Sequence, residues 1–275
     1  MYTQFYGFKE RPFNVTPDAR FFYPSHTHKD ALESLYYAVN EKRGFAVLSG
    51  SIGAGKTTVW RTLLKRLSPS TKVAVITNTH LTGRQLIEVL LEEFNIESKR
   101  LSKTQMLARL NKYLIEQFSQ NNNVLLIIDE AQNLAPAVLE EIRMLSNLET
   151  EAEKLLQILL IGQNELKDKL VMKNLSQLRQ RITVTVHINP LTREETENYM
   201  NFRISKVSDK TVKDVFTQDA IDKIHEYSNG VPRLINSICD GALLVGYATS
   251  TQLANSEMVS EAVNDFLACA CLVNK

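Results

Sequence analysis

Two stretches of this chain hold residue types whose spacing suits phosphate chemistry. The first is Gly50-Ser51-Ile52-Gly53-Ala54-Gly55-Lys56-Thr57-Thr58, which fits G-x-x-x-x-G-K-[ST]. Glycines at these offsets let the backbone curl until successive N–H groups converge on phosphate oxygens, and a helix opening at the end of the loop adds its partial positive charge. Lys56 then reaches the β- and γ-phosphates, and the Thr57 hydroxyl ligates Mg²⁺. The second stretch is Val124-Leu125-Leu126-Ile127-Ile128-Asp129-Glu130, an apolar run ending in two carboxylates. At the carboxyl end of a strand, where open α/β sheets bind ligands, Asp129 would hold Mg²⁺ through water. Glu130 would polarise the water that attacks the γ-phosphate. Such a pair alone is also an ordinary solvated strand cap; with the loop upstream, ATP and Mg²⁺ are the expected cofactors. A glutamate here favours hydrolysis over transfer to a small molecule, because a kinase must keep such a base away from water.

These residues need a strand, a loop and a helix to hold them, and the surrounding pattern supplies all three. Phe45-Ala46-Val47-Leu48 is a short apolar run closed by Gly50, followed by helical spacing over residues 56–67. Further strands are expected at 73–77, 124–128, 155–161 and 182–188. They alternate with helices at 29–43, 82–94, 104–119, 136–149 and 165–180. Unbroken apolar strands between amphipathic helices predict an α/β fold with a parallel sheet covered by helices. After Pro190 the strand signals stop, and helices near 192–206, 217–228, 231–248 and 256–270 remain. The first 27 residues carry eight aromatic residues, among them Tyr2, Tyr6, Phe8, Phe13 and Phe21, together with Pro12, Pro17 and Pro24. Three prolines forbid a continuous helix, so an irregular arm that packs its rings onto something is expected. The expected organisation is an aromatic arm (1–27), an α/β domain (28–190) and a small helical lid domain (191–275).

Composition narrows the class. Hydrophobic residues at 44% and charged residues at 23% exclude a disordered chain, which could not bury enough apolar surface. Lys+Arg 32 against Asp+Glu 31 leaves +1, so no generally basic coat faces nucleic acid or anionic lipid. Cys239, Cys269 and Cys271 are odd in number and lack spaced partners, which argues against a disulfide framework or a zinc site and for reduced thiols. Lys9, Glu10 and Arg11 interrupt any leader-like run, and the uncharged stretch 241–256 is too short and polar to span a bilayer. A cytoplasmic protein without a membrane span is expected.

The stretches FYGFKERPFNVTPDARFFY, GFAVLSGSIGAGKTT, LLIIDEAQNLAPAVLEEIRMLSNLET, LLQILLIGQNEL, LRQRI and NGVPRLINSICDGALL occur in this order. They resemble the AAA+ P-loop ATPases and, within them, the ExeA-like (general secretion pathway protein A) group. The transposition regulators TnsC, TniB and MuB share that core. The resemblance implies further roles. Gln163 takes the place of the sensor-1 polar residue, which orients the attacking water or the γ-phosphate; Asn164 follows it where the group usually has proline. Arg179 and Arg181 match the arginine finger that reaches the ATP of a neighbouring subunit, and Arg181, directly before a strand, is preferred. Gly230-Val231-Pro232-Arg233 matches sensor 2, with Arg233 pointing back at the γ-phosphate. Pro12, Phe13 and Phe21 would flank the adenine, plain core packing being the alternative. Assembly with itself into an ATP-dependent ring or helical filament is implied.

What the ATPase acts on divides three ways. Compact transposition regulators assemble on double-stranded DNA and engage a transposase or targeting protein. Secretion-assembly ATPases resemble longer proteins with a membrane span and a periplasmic domain, neither of which this sequence shows, so the DNA regulator is favoured. A AAA+ switch on another protein partner is the third alternative. Lys99, Arg100, Lys103 and Thr104, with Arg109 and Lys112 beyond, form a run without acidic residues from 99 to 115. With His80, Thr82 and Arg84 they resemble the segments with which TnsC-like rings track a DNA backbone, and such side chains suit phosphate contacts. The competing explanation is a solvated helix face.

Overall fold

The computed structural model describes residues 2–16, 19–149 and 153–273, with the backbone alone for Ala19 and 266–273. Pro17 and the thiols of Cys269 and Cys271 lie outside the described residues and side chains. In chain order the elements are α1 (Tyr2–Tyr6), α2 (His26–Asn40), β1 (Phe45–Gly50), α3 (Lys56–Arg66), β2 (Lys72–Ile76), α4 (Gly83–Glu93), α5 (Lys103–Ser119), β3 (Val124–Ile128), α6 (Pro136–Leu145), β4 (Gln157–Gly162), α7 (Asn164–Leu170), α8 (Ser176–Arg181), β5 (Ile182–Ile188), α9 (Arg193–Ser205), α10 (Gln218–Ser228), α11 (Pro232–Ala248) and α12 (Ser256–Val273). The chain divides into two compact units. One comprises Thr27–Ile52 and Val59–Ile188; the other gathers Met1–His26, Gly53–Thr58 and Asn189–Lys275.

The first unit is built on a five-stranded parallel sheet in the order β2-β3-β4-β1-β5. β1, β3 and β4 are buried along their whole length, which is why their sequences read as continuous apolar runs. β5 sits at an edge and alternates, with Thr183 and Thr185 turned outward between less exposed neighbours. Surrounding helices cover the sheet. α4 and α5 pack through stacked rings of Phe94 and Tyr113, centroids 5.0 Å apart, and each opens with a capping box, Thr82 with Gln85 and Ser102 with Gln105.

The helix expected over 165–180 is broken in the structure. α7 ends at Leu170, Val171 and Met172 lie exposed, and a 3-10 turn at Lys173–Leu175 precedes α8. Buried leucines explain the break. A continuous helix holding Leu166 and Leu170 inward would next bury Lys173 or Asn174; resetting the phase buries Leu175 and Leu178 instead.

The second unit is helical, and the N-terminal arm is part of its core rather than a separate piece. The arm is also not wholly irregular: residues 2–6 precede the first proline and form α1, which ends at Gly7 with φ +73. Tyr6 is fully buried and stacks on Phe8 at 5.7 Å, while Phe13 meets Phe216 edge to face at 6.1 Å. Arg203, 5% exposed, binds the arm: its guanidinium donates to the carbonyls of Pro12 (2.5 Å) and Asn14 (2.9 Å) and to the Tyr199 hydroxyl. Burial pushes the Tyr199 phenol up in pKa, and this hydroxyl passes its own hydrogen to Asn236 at 2.9 Å.

One turn holds α9 and α11 in place. Gly230 has φ +70, and a Cβ there would stand 1.9 Å from the Leu191 carbonyl oxygen. Gly230→Ala is therefore expected to destabilise the protein by about 2–4 kcal/mol. Denaturant unfolding of the helical unit checks this; an unchanged midpoint would refute the assigned clash.

Candidate nucleotide site

The loop that follows β1 has the conformation a polyphosphate requires. Gly53 (φ +78) and Gly55 (φ +98) are left-handed, a backbone that side chains resist. Alternating handedness turns consecutive N–H groups toward one concavity, and α3 opens directly afterwards at Lys56. Lys56 is only 7% exposed although it carries charge, whereas Ile52 points outward. Gly50, Ser51, Ala54, Thr57 and Thr58 complete the curl. The residues present thus fit a Mg²⁺ nucleotide: main-chain donors for phosphate oxygens, a lysine, and a threonine at the helix start.

Arg233 is brought to this loop. It sits in the first turn of α11 behind Pro232, and its backbone N–H donates to the Gly53 carbonyl at 3.3 Å. A Cβ on Gly53 would lie 2.6 Å from that of Arg233. Pro12 and Phe13 are placed by the helical core: the Pro12 carbonyl is taken by Arg203, and the Phe13 ring is 1% exposed.

Asp129 and Glu130 follow β3. Asp129 continues the ladder, its N–H donating to Ile76 at 2.9 Å, and its side chain is 7% exposed. A buried carboxylate demands donors. Oδ2 accepts from the Trp60 indole at 3.1 Å, and Oδ1 from the Glu130 N–H at 3.0 Å. Trp60 lies four residues after Lys56, one turn along the same face of α3. Glu130 adopts φ 54, a left-handed geometry for a residue with a side chain. The Gln163 amide reaches its carboxylate at 3.2 Å.

Three residues of this centre were absent from the motif-based reading: Trp60, Gln132 and Lys169. Gln132 Nε2 donates to Glu130 Oε2 at 2.5 Å, and Lys169 donates to the carbonyls of Gln132 and Leu134. Position supplied a usable signal for Gln132, two residues after the acidic pair; Trp60 and Lys169 look like ordinary helix residues.

The two candidate finger arginines differ. Arg181 is half-buried and donates to the Ser146 hydroxyl at 2.5 Å, whereas Arg179 is exposed with one long bond to the Val171 carbonyl at 3.4 Å. Several cations in and beside the basic insert have partners, one of them distant in sequence. Lys103 pairs with Glu141 at 2.6 Å, Arg84 with Glu88 at 2.8 Å, and Arg109 donates to the Glu97 carbonyl at 2.7 Å. Thr82 is occupied as the cap of α4. His80 and Thr104 are exposed, as are Lys99 and Arg100, which make no ion pair among the described residues.

A phosphate-binding loop after β1, acidic residues after β3 and a polar residue after β4 of a parallel sheet, together with a second, helical unit, define a AAA+ P-loop ATPase. The AAA domain family matches residues 39–170. Over 249 residues the chain is 41% identical to General secretion pathway protein A of Aeromonas hydrophila, covering 90% of this chain and 45% of that protein. The chain thus spans less than half the length of that relative. Among solved structures it resembles the ORC2 protein of Aeropyrum pernix (TM-score 0.69, 16% identity, 94% of this chain and 71% of that one). It also resembles Cdc6p of Pyrobaculum aerophilum (TM-score 0.66, 20% identity, 90% and 71%). These similarities carry the fold. The chain carries a AAA+ ATPase domain similar to that of the ExeA-like proteins. Among the described residues, no helix is long and apolar enough to cross a membrane.

Trp60 is the single tryptophan of the chain. Binding of Mg²⁺-nucleotide beside Asp129 is expected to change its emission, and Asp129→Ala to remove the Mg²⁺-dependent part. An unaltered spectrum, with nucleotide binding confirmed by calorimetry, would exclude metal at Asp129.

Proposed function

We propose that this chain is a self-assembling AAA+ switch that hydrolyses ATP and passes its nucleotide state to a protein partner in a secretion or envelope-assembly machine. The observation that carries hydrolysis is the Glu130 carboxylate, presented at the carboxyl end of the sheet and tied to Gln163. In operation the 50–58 loop holds the phosphates by its N–H groups, and Lys56 offsets their charge. Thr57 and Asp129 would hold Mg²⁺, which would supply positive charge to the phosphates. Glu130 accepts a proton from the attacking water, and Gln163 fixes that carboxylate. Arg233, joined to the loop through Gly53, carries the state of the loop into α11. Of the two arginines, Arg179 is the one disposed to reach a neighbouring subunit, because Ser146 already occupies Arg181. ATP supply puts the module on the cytoplasmic side.

Two observations support a protein partner: the 41% identity over 90% of the chain to a secretion pathway protein, and the pairing of Lys103 and Arg109 of the insert with Glu141 and Glu97, and of Arg84 before it with Glu88. A second reading, assembly on double-stranded DNA as a transposition regulator working with a transposase, is favoured by exposed Lys99 and Arg100, the latter at φ 59.

Glu130→Gln is expected to keep nucleotide affinity, lower turnover about a hundredfold or more and enrich the assembled state in sedimentation. Undiminished turnover would remove Glu130 from the mechanism. Duplex DNA is expected to leave turnover and assembly unchanged. DNA-dependent assembly that weakens with salt, and that Lys99→Ala with Arg100→Ala abolishes, would replace the protein partner with DNA.

A further inference from the structure

Glu130 is held by more than the strand that presents it. Its Oε2 accepts from Gln132 Nε2 at 2.5 Å and from Gln163 Nε2 at 3.2 Å. The other end of the Gln132 amide is also engaged, since Oε1 accepts the Gln163 backbone N–H at 3.1 Å. These partners fix which way the amide points, because a carboxylate takes only donors and an N–H needs an acceptor. Gln132 therefore bridges the turn after β3 to the first residue after β4. Space for this bridge exists because Gly162 lacks a side chain; a Cβ there would stand 2.8 Å from Gln132 Oε1. Lys169 of α7 secures the same turn from the main-chain side, donating to the carbonyls of Gln132 and of Leu134, the latter at 2.8 Å. Left-handed backbone at a non-glycine residue persists only where its surroundings over-determine it, and at Glu130 these contacts do so.

We propose that Gln132 is a positioning residue for hydrolysis: one amide locks Glu130 to Gln163, so that the carboxylate and the end of β4 keep a single mutual geometry, with Lys169 as the anchor of the turn. Both donors converge on Oε2, which leaves Oε1 as the oxygen that takes the proton from water. This rests on Glu130 acting on the attacking water, as proposed above. The hydrogen bonds of the Gln132 side chain go to Glu130 and Gln163 within one unit, so its loss acts on turnover rather than on nucleotide binding.

The test compares Gln132→Ala with Gln132→Met, which preserves volume, alongside Lys169→Met and Glu130→Gln, by ATP turnover and by affinity for a non-hydrolysable ATP analogue. For both Gln132 variants kcat is expected to fall about tenfold or more, with KM and analogue affinity within about twofold. In nucleotide-free protein, backbone hydrogen exchange at Gln163 is expected to accelerate by about tenfold, a readout independent of activity. Lys169→Met should move both quantities in the same direction. Unchanged or raised kcat, unchanged exchange at Gln163, or a loss confined to KM would overturn the proposal. Inactive Glu130→Gln beside fully active Gln132 variants would remove Gln132 alone, whereas active Glu130→Gln would remove the underlying assignment and Gln132 with it.

Discussion

Parallel hydrogen bonding places Ser49 opposite Gly162 and Ile128 opposite Leu160, and that register decides where the candidate nucleotide-site residues emerge. Because all strands run the same way, the residues that leave β1, β3 and β4 emerge at one edge. Gly50 turns into the phosphate loop, Asp129 and Glu130 follow β3, and Gln163 follows β4. The burial of β1, β3 and β4 makes this alignment hard to alter. A slip of one residue would turn apolar side chains off their packing partners and carry each functional group out of place.

Polar groups at that edge sit in an apolar setting and are therefore placed by their partners. Asp129 is nearly closed off from water, so an indole N–H and a main-chain N–H define its orientation. Glu130 is fixed by two amides and its turn by a lysine. Each contact is worth only about 1–3 kcal/mol, yet each also removes rotational freedom from a group whose aim matters to the proposed hydrolysis. The same principle holds in the helical unit, where Arg203 gives its donors to carbonyls of the arm and to Tyr199 and lays its face on the Phe21 ring at 4.6 Å. A buried cation bound in this way makes the arm a structural member of the unit that carries Arg233.

The division of labour between sequence and fold shows in particular residues. The loop 50–58 and the Asp129-Glu130 pair were legible because their chemistry depends on local backbone: glycines for left-handed φ, a helix start for the lysine, a strand end for the carboxylates. The central strands were legible because full burial leaves them mostly apolar, Ser49 and Gln157 apart. The break at Val171 and Met172 was not, since it exists to rephase leucines against a core that only the fold assembles. Nor was the fate of the basic run from 99 to 115. It contains no acidic residue, but Glu141, 38 positions beyond Lys103, comes to neutralise that lysine. The hydroxyl that Arg181 engages likewise comes from Ser146, 35 positions away.

Sequence by itself determined that this chain is a P-loop ATPase by type, because phosphate binding is written in consecutive residues whose backbone preferences need no distant help. The tertiary structure decided which charges remain available, how the aromatic arm is used, and which amides hold Glu130. Those are properties of pairs brought together across tens of residues, and neither member of a pair signals the other before the chain has folded.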